Sequence, residues 1–154
     1  MSILKFDGKT HQLSLVNKDG SVLGSWAAYN NTDSHATIRY VKDGTYSILD
    51  KTEPRRHKAD ANGPYGLYGI IRFEVPGHPG IGVHSGRAKA RHLPGPEHPT
   101  MGCIRTTDTA MLTIKTVMRG DSLLTIDVEN NTAVSAYHAS LKNQDRSIEG
   151  FAHA

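Results

Sequence analysis

Apolar side chains fall at alternate positions along much of this chain, and Gly, Pro or Asn breaks the alternation after each short run. Leu4 and Phe6 flank Lys5, Leu13 and Leu15 flank Ser14, and the polar turn Asn17-Lys18-Asp19-Gly20 follows. A period of two buries one face of a strand, so the pattern favours sheets over a helical bundle. Fifteen glycines and seven prolines supply the turns. Strands are predicted near 2–7, 11–17, 21–29, 37–41, 44–50, 67–75, 80–85 and 121–128. One stretch has the helical period. Ala110, Met111, Ile114, Val117 and Met118 share a face, Thr106 or Thr107 can cap it, Asp108 suits its first turn, and Gly120 follows its end. The predicted fold is mainly β (α+β): an antiparallel or mixed β-sandwich or curled sheet with one principal helix soon after Cys103, its positive dipole end near the thiol.

At 154 residues the chain has the size of one domain and buries about two-thirds of its unfolded surface without disulfides. Residues 1–128 are expected to form the main domain. The last stretch, 129–154, is read as an extension packed on it or trailing from it, with a weak helix around 133–141. The net charge of +3 is diffuse, and Arg55-Arg56-His57-Lys58 lacks interleaved aromatics, so it reads as a solvated loop and not as a nucleic-acid surface. No charged start followed by an apolar core suggests a signal peptide, and no run reaches membrane-spanning length. The expectation is a protein made in the cytoplasm.

Cys103 is the single cysteine, so it cannot close an internal disulfide or build a thiolate metal cluster. Inert packing or nucleophilic chemistry remain. A thiol becomes a useful nucleophile where a histidine, a cation or a backbone dipole favours the thiolate. His84 ends the apolar run Gly80-Ile81-Gly82-Val83, where a strand can hold the ring in one orientation as a general base requires. Gly102 permits close approach beside the thiol, and Arg105 places a planar cation two residues beyond it. That cation serves either a structural ion pair or a substrate carboxylate. His78, His92 and His98 match no compact metal-ligand spacing, and neither metal nor cofactor is predicted. Tyr65 and Tyr68 are candidate aromatic walls or core residues, and Arg87, Lys89, Arg91 and His92 a lid or a fixed wall.

His84-Ser85, followed after a loop by Thr100-Met101-Gly102-Cys103-Ile104-Arg105, resembles the active-site pattern of the L,D-transpeptidase catalytic domain of the YkuD type. The opening hairpin and Lys42-Asp43-Gly44-Thr45-Tyr46-Ser47-Ile48 resemble family segments more weakly. The resemblance implies a YkuD-like fold, Cys103 as acyl-accepting nucleophile and His84 as its base. It further implies Ser85 as the carbonyl that orients the histidine and Gly102 with Cys103 at an oxyanion hole. Arg105, Tyr68 and Thr100 are the substrate-binding candidates. Two departures stand out: Met101 replaces the histidine usual before Gly-Cys, and Asp108 stands where many members carry Asn. Such divergence resembles type VI secretion effectors that attack peptidoglycan. The implied activity is L,D-carboxypeptidase and/or L,D-transpeptidase chemistry on peptidoglycan stem peptides. The implied route is contact-dependent delivery into a target-cell periplasm, with an immunity protein and a secretion component as partners. Another Cys-His amidase or endopeptidase of the cell wall, or a non-catalytic wall-binding module, are the alternatives. Chain order, His before Cys, differs from the papain-like arrangement.

Overall fold

The computed structural model describes residues 1–133. Eight strands and one α-helix follow in chain order: β1 Ser2–Asp7, β2 Gln12–Val16, β3 Val22–Ala27, β4 Gly44–Ser47, β5 Ile70–Arg72, β6 Gly82–His84, β7 Ile104–Arg105, α1 Asp108–Met118 and β8 Leu123–Glu129. The larger sheet has the order β3-β2-β1-β8-β4, and the smaller one β5-β6-β7. Both are mixed, because β1 pairs parallel with β8 and β6 parallel with β7 while the other pairings are antiparallel. Among the described residues the fold is thus mainly β with α1 as its principal helix, as the periodicity predicts.

Period-two burial sets the register. Leu4 and Phe6 point inward from β1, Leu13 and Leu15 from β2, Ile126 and Val128 from β8. They join Ile71, Phe73, Val83 and Ile104, around the smaller sheet, and Met111, Ile114 and Met118 of α1 in one core. Each fully buried Leu, Ile or Phe contributes about 1.5–3 kcal/mol relative to exposure, before conformational entropy is charged against it. Thr107 is the helix cap, its side chain accepting from the Ala110 N–H, and Asp108 occupies the first turn.

The differences from the sequence pattern have local causes. Residues 37–41 form no strand, because side chains satisfy that backbone: Asn30 Oδ1 accepts from Val41 N–H and Thr32 Oγ1 donates to Arg39 O. The run 67–75 shrinks to three residues, since Gly69 at φ 76° ends the regular backbone on one side while Phe73 makes only an isolated bridge to Ile48 on the other. The two residues of β7 and a 3-10 turn at Gly95–Glu97 are too short to leave any period in the sequence. Strand β8 continues through Glu129, and Asn131 is buried. The weak helix expected around 133–141, and the rest of the extension from 134 on, lie outside the described residues.

Candidate active site

Parallel pairing of β6 with β7 sets Val83 beside Ile104 and His84 beside Arg105. Val83 and Ile104 enter the core, so alternation turns His84 and Arg105 to the other face. Cys103 precedes β7 by one residue. In that register it stands beside Gly82, on the same face as His84 and one diagonal step from it.

His84 is buried, and its Nδ1 lies 2.7 Å from the Ser85 carbonyl oxygen. A carbonyl only accepts, so Nδ1 carries the hydrogen and the Nε2 lone pair is left to take a proton. Burial, then the charges of Arg105 and His57, push the imidazole down to about 4, against an upward pull from the Ser85 bond. The Cys103 thiol is pushed up by burial, with the Gly82 backbone and Arg105 opposing the rise. Its Sγ contacts the Gly80 carbonyl at 3.7 Å, and among the described residues no hydrogen bond joins it to the His84 ring. The resting arrangement is therefore a protonated thiol and a neutral imidazole. Such a pair generates its nucleophile by proton transfer during attack, not by holding a standing thiolate.

Ser85 serves in two directions. Its carbonyl holds His84, and its hydroxyl donates to Asp108 Oδ1 at 2.5 Å, where the Leu67 amide also donates at 3.0 Å. The start of α1 thus meets Ser85 and Leu67, with β7, Thr106 and Thr107 between it and Cys103 along the chain. Gly66, at φ 71°, is required here, since a Cβ would lie 2.0 Å from Ser85 Oγ.

The loop before the thiol is pinned from both sides. Thr100 Oγ1 donates to the Cys103 carbonyl at 2.7 Å and accepts from the Gly102 amide at 3.1 Å, while Asn30 Nδ2 donates to the Gly102 and Cys103 carbonyls. Gly102, at φ 135°, cannot carry a side chain, because a Cβ would meet Ile38 at 2.4 Å. Thr100 thus braces the loop through its hydroxyl, and the Gly102 N–H, expected at an oxyanion hole, is already bonded to it. Asn30 is in turn held by Asn131, whose Nδ2 donates to Asn30 Oδ1 and the Val41 carbonyl. Neither asparagine stands out in the sequence, because buried amides leave no periodic signal.

Arg105 is likewise engaged within the fold. It is buried, and four of its five donors go to backbone carbonyls: Nε to Ser85, Nη1 to His98 and Pro99, Nη2 to Pro64. Burial and Arg87 push its pKa down to about 10. It ties three loops around His84 and leaves one hydrogen for any carboxylate. The Tyr68 ring lies under Lys115 Nζ, 5.7 Å from the centroid, and lines a cavity there. The aromatic on the histidine is Tyr65, with ring centroids 4.9 Å apart, and His57 in turn stacks on Tyr65 at 3.9 Å. His57 belongs to the run read as a solvated loop. Among the described residues no three His, Cys, Asp or Glu side chains converge as metal ligands.

No protein-family model and no curated protein matches the chain. Solved structures do. The helical cell-shape determining protein Pgp2 of Campylobacter jejuni aligns with TM-score 0.61 and 16% identity, over 90% of this chain and 52% of that one. An L,D-transpeptidase from Stackebrandtia nassauensis aligns with TM-score 0.53 and 16% identity over 85% of this chain and 58% of that one. L,D-transpeptidase 1 of Mycobacterium tuberculosis gives 0.52 and 16%, over 83% and 61%. This chain spans about half to three-fifths of those proteins. Its fold is the YkuD-like α+β fold of the L,D-transpeptidases.

Proposed function

We propose that this protein is a cysteine acyl-transfer enzyme of peptidoglycan stem peptides, acting as an L,D-carboxypeptidase, an L,D-transpeptidase or both. The observation that carries the reading is a thiol and an imidazole of fixed tautomer on one face of adjacent parallel strands, within this fold. Cys103 Sγ attacks the carbonyl between the L-centre of the diamino acid and the following D-residue while His84 Nε2 takes the thiol proton. The tetrahedral adduct collapses as that proton passes to the departing amine, leaving a thioester and neutral imidazole. Water then gives the carboxypeptidase product, and an amine from another stem gives the transpeptidase product. Met101, two residues before the thiol in the chain, is exposed and stands where a second imidazole is usual.

The biological setting we propose is an antibacterial type VI effector, made in the cytoplasm, delivered by contact and active in the target-cell periplasm. An immunity protein and a secretion component would then be its partners. The sequence supports this through the Met101 departure.

Purified stem tetrapeptides and pentapeptides incubated with the protein should lose a terminal D-residue or gain a cross-link by mass spectrometry. Cys103→Ala and His84→Gln should each lower turnover by about 10³-fold or more, because nucleophile and base act as one unit. Unchanged products with Cys103→Ala would falsify the mechanism. Toxicity confined to an exported protein with intact Cys103 would support the effector role, whereas equal toxicity without export would remove it.

A further inference from the structure

A second concave site lies on the far side of the Tyr65–His57 stack. It is a cavity of about 310 Å³ where the residues leading into β5 meet the last turns of α1. Arg56, Lys115 and Arg119 line it, with Glu53 as the sole carboxylate in the lining. Among the described residues none of the three cations has an ion pair, since the salt bridges there are Met1–Asp121, His35–Asp33 and Arg72–Asp50. Lys115 and Arg119 stand one turn apart on the helix and repel each other, an arrangement that a bound anion would relieve. The C-terminal helix dipole accounts for part of their presence, but not for Arg56 on a different segment.

The pocket is also built on a fixed floor. Lys115 Nζ sits over the Tyr68 ring, which limits where its charge can go. Arg55 exchanges both backbone hydrogen bonds with Ile70, clamping the Arg56–His57 segment to β5. Gly69 must be glycine, because its φ is 76° and a Cβ would meet the Arg55 carbonyl at 2.1 Å. His57 lines the cavity and stacks on Tyr65, whose ring packs against His84. One aromatic pair is therefore the partition between the cavity and the candidate base.

We infer that this cavity is a carboxylate-binding subsite for an anionic peptide, held by Arg56, Lys115 and Arg119 with Tyr68 against its apolar part. The identity of the peptide rests on the proposed function: a stem peptide carries carboxylates on residues remote from the reacting carbonyl, and charge captured here would hold the rest of the chain across Tyr65 toward His84. Such remote contacts are made equally to substrate and transition state, so they lower KM without changing kcat.

The test uses the Cys103→Ala protein, so that binding is read without turnover. Calorimetry with a free stem tetrapeptide should give an affinity that weakens about tenfold or more in Lys115→Gln/Arg119→Gln, and again in Arg56→Gln, with unchanged thermal melting. The same tetrapeptide with its side carboxylates amidated should bind the unsubstituted pocket as weakly as the variants bind the acid form. Rising salt should narrow the gap. With Cys103 restored, the variants should raise KM and leave kcat near its original value. Equal affinity for acid and amidated peptides, insensitivity to the three substitutions, or tighter binding of inorganic phosphate or glycerol phosphate than of the tetrapeptide would overturn the assignment. Carboxylate-dependent binding without turnover in any protein would uphold the subsite while removing the proposed catalysis, which keeps the two failures apart.

Discussion

The five-stranded sheet buries Leu4, Phe6, Leu13, Leu15, Ile126 and Val128, with exposed or half-buried polar neighbours between them. The three-stranded sheet sends Val83 and Ile104 to the same core, yet its other face buries His84 and Arg105 at 3% exposure each. Its strands are only two or three residues long, so ladder hydrogen bonds alone cannot hold it. Side chains supply the difference: Arg105 on four carbonyls, Asn30 and Thr100 on the cysteine loop, Ser85 on Asp108. The larger sheet is stabilised by area removed from water. The smaller one is specified by polar groups that must each find a partner.

Two matched substitutions would break this comparison if it is wrong. Leu13→Ala, in the larger sheet, should cost about 3–4 kcal/mol in urea unfolding and leave turnover per folded molecule unchanged. Arg105→Met should cost about 3 kcal/mol, because buried carbonyls of Ser85, His98, Pro99 and Pro64 lose their donor. It should also depress turnover, since the Ser85 carbonyl holds the His84 ring. Equal turnover in the two variants would mean that the smaller sheet is held by apolar packing alone.

Acid should expose the same contrast. His84 titrates near 6.5 when unfolded and at about 4 when folded, burial and then Arg105 disfavouring its charge. Above pH 6.5 it is neutral in both states. As pH falls from 6.5 toward 4 the unfolded chain takes a proton that the folded site refuses, so up to about 3 kcal/mol of stability is lost, and the loss levels off below 4. His11 and His98 are also lowered, by burial first, and act in the same direction. The difference between the parent and His84→Gln, measured by urea midpoints at pH 7, 5 and 4, isolates the His84 share.

Asn30→Ala tests the loop brace. It should cost about 2 kcal/mol by leaving the Gly102 carbonyl and the Val41 amide without their side-chain partner and the Cys103 carbonyl with Thr100 alone, and it should slow alkylation or turnover at Cys103 more than a general loss of stability explains. Thr107→Ala removes only the α1 cap and should cost about 1 kcal/mol, with thermal melting as the readout. An effect as large as that of Arg105→Met would show that the helix start, and not the arginine clamp, organises the smaller sheet.

Most of this architecture is readable from short patterns. Strands β1 and β2 and their hairpin follow from period two and a polar turn, and α1 from one apolar face and its Thr107 cap. Adjacent motif residues single out Cys103 and His84. Strand β7 was not readable, because two residues carry no period. Asn30 was not, because its partners lie 72 and 73 positions away. The basic run at Arg55–Lys58 is exposed, as its composition predicts, but the exposure of one segment says nothing about the helix end that comes to face it.

The sequence by itself determined which residues alternate into a core, where the helix is capped and which thiol and imidazole are chemically available. These depend on local geometry and side-chain chemistry. Only the tertiary structure decided that Arg105 would spend its fork on backbone carbonyls, that Tyr65 and not Tyr68 would meet His84, and that Arg56 would share a cavity with Lys115 and Arg119. Those outcomes arise from strand order and loop closure, which bring together groups whose separation in sequence carries no information about their separation in space.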